Sequence, residues 1–200
     1  MKVAVFDRMD ECSEAEVQRM LPMVSAQRRD QALRYKHVFG QFCCLKSWLM
    51  LRELTDDGTD GFMDEWTYNE YGKPSFAPSP LRSFTPCFSI SHCKEAIAVA
   101  VDDRPVGIDI EAIRHANGEL IARTMNAAEQ RQIHSDRDFT RLWTQKEAVV
   151  KWQGTGIESF DQLQSVLSDD RESARPQIET FENEKYIYSI AYGKLCSFGA

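Results

Sequence analysis

No stretch of this chain approaches the roughly 20 consecutive apolar residues that a helical membrane span needs, so no membrane partner is expected. The opening Met1-Lys2-Val3-Ala4-Val5-Phe6-Asp7 has one positive charge and a short apolar stretch, too little for a signal peptide, and reads as a first strand. The six cysteines (Cys12, Cys43, Cys44, Cys87, Cys93, Cys196) contain no C-x-x-C pair and sit mostly in apolar stretches, which reads as reduced thiols in a cytoplasmic protein. His37, His115 and His134 lack metal-ligand spacing and read as surface residues. Positive charge is in deficit, and a net charge of −7 argues against nucleic acid as the main partner. Low-complexity segments and long linkers are missing too, so the parts of the chain should pack closely.

What is present is the composition of a soluble globular protein, 42% hydrophobic and 28% charged over 200 residues, enough for one large domain or two small ones. The charge is unevenly spread. Arg19, Arg28, Arg29, Arg34, Lys36, Lys46 and Arg52 are opposed only by Asp30, and then seven acids run from Glu53 to Glu70 without a base. The basic segment reads either as a solvated helix face or as a place for an anionic ligand or acidic partner.

Ser13 and Glu16 have capping-box spacing and predict a short helix. A longer helix is expected from after Ser25 to about Leu54, with Leu33, Phe39, Phe42, Leu45, Leu49 and Leu51 on its apolar side. The acidic, glycine-containing stretch from Thr55 to Asp64 reads as a loop, and Asn69 to Pro74 as a turn leaving Lys73 exposed. Strands follow at Cys87–Ser91, Ala96–Val101 and Val106–Glu111, which suggests an antiparallel meander. Asn126 and Glu129 repeat the capping-box pattern, a helix from about Arg137 ends at Gly154 and Gly156, and strands near Ile178 to Phe181 and Tyr186 to Tyr192 close the chain. Both halves therefore read as strand, helices, then antiparallel strands, an α+β fold of two similar lobes meeting near Asp102 to Pro105.

Two segments concentrate the chemistry. On the strand Val106 to Glu111, alternation sends Val106, Ile108 and Ile110 to one face and Gly107, Asp109 and Glu111 to the other. On the helix through Trp143, Glu147 and Lys151, four-residue spacing sets a carboxylate and an ammonium one turn apart. If the two elements face each other, three carboxylates and a lysine suit Mg²⁺, a hard cation taking oxygen ligands, together with a phosphate. Each piece alone has an ordinary reading: an exposed strand edge, and an i, i+4 ion pair. Ser91 and His92, at the end of an apolar strand, make a poor nucleophile and base because neighbours on a strand point apart, but are reasonable phosphate donors.

In combination, Gly72-Lys73-Pro74, Phe88-Ser89-Ile90-Ser91-His92, Val106-Gly107-Ile108-Asp109-Ile110-Glu111 and Trp143-Thr144-Gln145-Lys146-Glu147-Ala148-Val149-Val150-Lys151 resemble the Sfp-type 4′-phosphopantetheinyl transferases in order and spacing. The resemblance implies two pseudo-symmetric lobes, each an antiparallel sheet packed with helices, with the active site at their interface. Residues 1–103 would form the lobe with coenzyme A nucleotide contacts and 104–200 the lobe with metal and catalytic residues. It implies transfer of 4′-phosphopantetheine from coenzyme A to a serine of an apo acyl or peptidyl carrier protein, leaving 3′,5′-ADP, in a monomer. It assigns Asp109, Glu111 and Glu147 to Mg²⁺. Glu147 becomes the base for the serine, directly or through a water at the metal, and Lys151 the partner of the leaving ADP. Arg28, Lys73, Ser91 and His92 become coenzyme A contacts. Two positions depart from the pattern: Gln31 and Cys43 stand where further basic residues are expected. A Mg²⁺-dependent nuclease or phosphodiesterase is the main rival reading, and a non-catalytic coenzyme A or carrier-binding module the third.

Overall fold

The computed structural model of the protein describes residues 1–55, 66–77, 85–157, 159–168 and 175–193. The expected loop at 56–64 and Cys196 lie outside the described residues. In chain order the elements are β1 (Lys2–Phe6), α1 (Glu14–Met20), α2 (Ala26–Leu33), α3 (Val38–Thr55), β2 (Trp66–Tyr68), β3 (Pro74–Phe76), β4 (Cys87–His92), β5 (Ile97–Asp102) and β6 (Val106–Ala112). They continue with α4 (Gly118–Thr124), α5 (Ala127–Gln130), α6 (Asp136–Gln153), α7 (Leu163–Val166), β7 (Gln177–Glu182) and β8 (Tyr186–Tyr192).

Two three-stranded antiparallel sheets carry the α+β fold, ordered β1-β5-β4 and β6-β8-β7, with β2 and β3 forming a separate hairpin. In each sheet the last strand in sequence takes the centre, and each half holds one helix of 18 residues, α3 or α6. The expected meander stops after two strands. β5 is hydrogen-bonded by β1 on one edge and β4 on the other, so both its edges are used and β6 joins β8 instead.

Side-chain size along β5 shows how the sheets meet. Ile97, Val99 and Val101 join the core under α3, whereas Ala96, Ala98 and Ala100 face Val106, Ile108 and Ile110 of β6 in a second core. The alanines let the two sheets come close while β6 supplies the bulk, and each Val or Ile so buried contributes about 1.5–3 kcal/mol. The other face of β6 meets α6. A Cβ on Gly107 would lie 2.0 Å from the Ala148 carbonyl oxygen and 2.3 Å from the Trp152 nitrogen, so only glycine allows this approach.

The expected long first helix is two helices. The Tyr35 ring lies where a Cβ on residue 40 would be, at 2.7 Å, and the Gln41 amide donates to the Tyr35 carbonyl, which turns the chain between α2 and α3. Leu33 and Phe39, expected in the apolar face, are exposed in consequence. The local end signals hold. Ser13 caps α1, although Glu16 pairs with Arg19 rather than closing a box. Asn126 and Glu129 form the full box, Ser135 caps α6, and Gly154 ends it with φ of 76°. The five described cysteines are free thiols, and no described helix is long and apolar enough to cross a membrane.

Candidate active site

The facing of β6 and α6 brings Asp109 and Lys151 together. Lys151 Nζ lies 2.7 Å from Asp109 Oδ1 and 2.9 Å from Ser91 Oγ, and the Ser91 hydroxyl donates to the same carboxylate oxygen at 2.9 Å. Ser91 comes from β4, so both sheets contribute to one polar cluster. His92 points elsewhere, its ring edge-on to Phe39 at 6.0 Å, as alternation on a strand requires.

Glu147, one turn before Lys151, feels this cluster. Burial pushes its carboxyl up to about 7, with Asp109 repelling in the same direction and Lys151 opposing. Burial and Asp109 also raise Glu111. Asp109 thus disfavours ionisation of both Glu111 and Glu147, and Glu111 adds to the effect on Glu147. Asp109 Oδ2 is buried with no hydrogen-bond partner. Among the described residues no three acidic, histidine or cysteine side chains are already gathered into a metal cage. Even so, three oxygen donors of one charge with one buried acceptor unmet fit a hard divalent cation such as Mg²⁺.

A cleft of about 300 Å³ adjoins the cluster, lined by Lys73, Phe88, Ser89, Ile90, Glu147 and Lys151 among others. A second of about 170 Å³ holds Arg28 and His92, and Pro74, Phe88 and Ile90 line both. Arg28 and His92 therefore stand apart from the carboxylates, along the same groove. Arg28 is buried, its guanidinium 3.6 Å from the ring centre of Trp48 and 3.9 Å from that of Trp66, and burial lowers its pKa. The basic segment is thus no uniform solvated face.

Lys73 does not lie on an exposed loop. Asn69 Oδ1 accepts the Tyr71 and Lys73 amides, and its Nδ2 donates to the Gly154 carbonyl, which binds the turn to the end of α6. Lys73 Nζ then donates to the carbonyls of Lys151 at 2.5 Å and Val106 at 3.2 Å. The last carbonyls of a helix lack partners within it, and a cation there is favoured by the helix dipole.

Lys146 was not picked out from the sequence. It is fully buried, with Nζ 2.8 and 2.7 Å from the two oxygens of Glu129 and 2.6 Å from the Leu163 carbonyl. It sits in the stripe Phe139, Trp143, Lys146, Val150, and a lone lysine in an apolar stripe was the available signal. This clamp holds the back of α6 while Glu147 and Lys151 face the site.

Comparison with known proteins points one way. A family model described as the 4'-phosphopantetheinyl transferase superfamily matches residues 105–194. A 4'-phosphopantetheinyl transferase of Bacillus subtilis is 30% identical over 167 residues, covering 79% of this chain and 73% of the relative. The enzyme psf-1 of Bacillus pumilus is 27% identical over 168 residues, 80% of this chain and 71% of its own. AcpT of Escherichia coli O157:H7 is 39% identical over 117 residues, 54% and 57% of the two chains.

Proposed function

Since the chain belongs to the 4′-phosphopantetheinyl transferase superfamily and its relatives are transferases of that class, we propose that it moves 4′-phosphopantetheine from coenzyme A to a serine of an apo acyl or peptidyl carrier protein, releasing 3′,5′-ADP. The observation that carries this is the meeting of Asp109, Lys151 and Ser91 beside a glutamate held near neutrality, at the mouth of a cleft between the halves.

In this reading the serine oxygen attacks the phosphorus next to the pantetheine, and the bond from that phosphorus to the ADP oxygen breaks. A Glu147 oxygen takes the serine proton, directly or through a water; a carboxyl with a pKa near 7 can act as base at neutral pH without holding the proton too weakly. Lys151 stabilises or protonates the departing ADP. Asp109, Glu111 and Glu147 would hold Mg²⁺, which when bound neutralises the pyrophosphate and the charge that develops during transfer. Ser91 supplies a donor to a phosphate oxygen once its hydroxyl turns from Asp109 to the ligand. Arg28, His92 and Lys73 line the groove for the rest of the coenzyme.

Incubation with coenzyme A, Mg²⁺ and purified apo carriers of the fatty-acid, polyketide and peptide types tests the reading by intact-protein mass spectrometry. One carrier should gain the mass of one phosphopantetheine. Unchanged masses across all three types would overturn the assignment.

A further inference from the structure

Among the described residues β6 is paired on one edge only. Its register partner is β8, while the strand beyond its other edge, β4, belongs to the other sheet. In an antiparallel ladder alternate residues direct their N–H and C=O to opposite edges, so Val106, Ile108 and Ile110 turn backbone groups towards the gap. Two of these groups are met by side chains from the first half. Ile108 N–H donates to Ser89 Oγ at 3.0 Å, and the Val106 carbonyl accepts Lys73 Nζ at 3.2 Å. Ser89 and Ser91 share one face of β4. Ser91 reaches Asp109, and Ser89 reaches the residue immediately before it.

We infer that Ser89 is a positioning residue: its hydroxyl sets the height of β6 against β4, and thereby where the Asp109 carboxylate stands relative to Ser91 and Lys151. The inference rests on the transferase reading for its catalytic consequence and on geometry alone for its structural one. Ser89 is buried, as are Ile108 and Asp109. A buried N–H that loses its acceptor either keeps the full cost of desolvation or moves to find another partner, and here the strand that moves carries a proposed metal ligand. No backbone ladder joins β4 to β6 that would hold the register in its place.

The test compares Ser89→Ala and Ser89→Thr with wild type in the full chain. Three readouts are used: exchange of the Ile108 amide by NMR, Mg²⁺ affinity by calorimetry without coenzyme A, and kcat against KM for coenzyme A. The alanine variant is expected to speed Ile108 exchange, weaken Mg²⁺ binding by about tenfold and lower kcat with little change in KM. Threonine, which keeps the hydroxyl, restores all three towards wild type. Slow exchange and unchanged Mg²⁺ affinity in Ser89→Ala would overturn the inference. So would a raised KM with unaltered kcat, which marks a direct substrate contact. The first two readouts need no transfer reaction, so they decide the role of Ser89 even if the carrier assay fails.

Discussion

Lys151 Nζ and Asp109 Oδ1 stand 2.7 Å apart across the α6–β6 contact. This pair joins α6 to β6, and its ammonium opposes the rise that burial and Asp109 impose on the Glu111 and Glu147 carboxyls. Lys151→Met should therefore reduce transfer by at least about 100-fold, the scale of a lost general acid. Stability should fall by about 1–3 kcal/mol, because the lysine side chain is 29% exposed but the Asp109 carboxylate it leaves behind is buried. Transfer kinetics and urea unfolding, measured on one preparation, separate the two effects.

Gly107 is where β6 and α6 touch. Gly107→Ala forces a Cβ into the backbone of α6 at Ala148 and Trp152, which cannot give way as a flexible side-chain end would. The expected cost is about 1–3 kcal/mol in unfolding free energy. Transfer should fall more steeply, by about 100-fold, because a shift near 1 Å separates Asp109 from Glu147 and Lys151. Normal activity in this variant would show that the two elements need not be this close.

Glu147 links pH to stability in a direction that can be worked out. Its carboxyl binds a proton more tightly in the folded protein, about 7, than at the ordinary value of 4.5. The stability it contributes is fully present below about 4.5 and is lost as pH rises through 7. Glu147→Gln stays uncharged, so in metal-free buffer it should match wild type near pH 4 and gain Tm over wild type as the pH rises to 8. A constant Tm difference across that range would contradict the buried, repelled state of this group.

Lys146 and Glu129 form a buried pair with satisfied geometry, so removing one charge strands the other. Lys146→Met should cost about 3–5 kcal/mol by denaturant titration, and adding Glu129→Gln should recover part of the loss. An equal or greater loss in the double variant would show that the methionine fails for packing reasons.

Local signals in the sequence carried far. Alternation in Val106 to Glu111 and the glycine stop at Gly154 place β6 and the end of α6 nearly as observed, because both patterns depend on neighbouring residues. Partners distant in the chain were less readable. Lys73 was correctly put in a turn, but the carbonyl that takes its ammonium lies 78 positions later, and nothing near Lys73 announces it. By charge alone Arg28 is one basic residue among several, and only the resemblance sets it apart, because Trp48 and Trp66, which stack on it, belong to other elements. The meander failed for a related reason: hairpin order is local, but which edge of β5 stays open depends on β1 at the far end of the half. Asp109, Glu111, Glu147 and Lys151 were readable because strand and helix periodicity already placed them on shared faces.

The account depends on Asp109 and Glu147 acting as one site. The decisive measurement is intact mass of an apo carrier that wild type converts, after incubation with Mg²⁺, coenzyme A and either Asp109→Ala or Glu147→Gln, each checked for a native circular dichroism spectrum. The carrier should keep its apo mass with both variants. A full gain of one phosphopantetheine with either folded variant, at the wild-type rate, would contradict the roles assigned here.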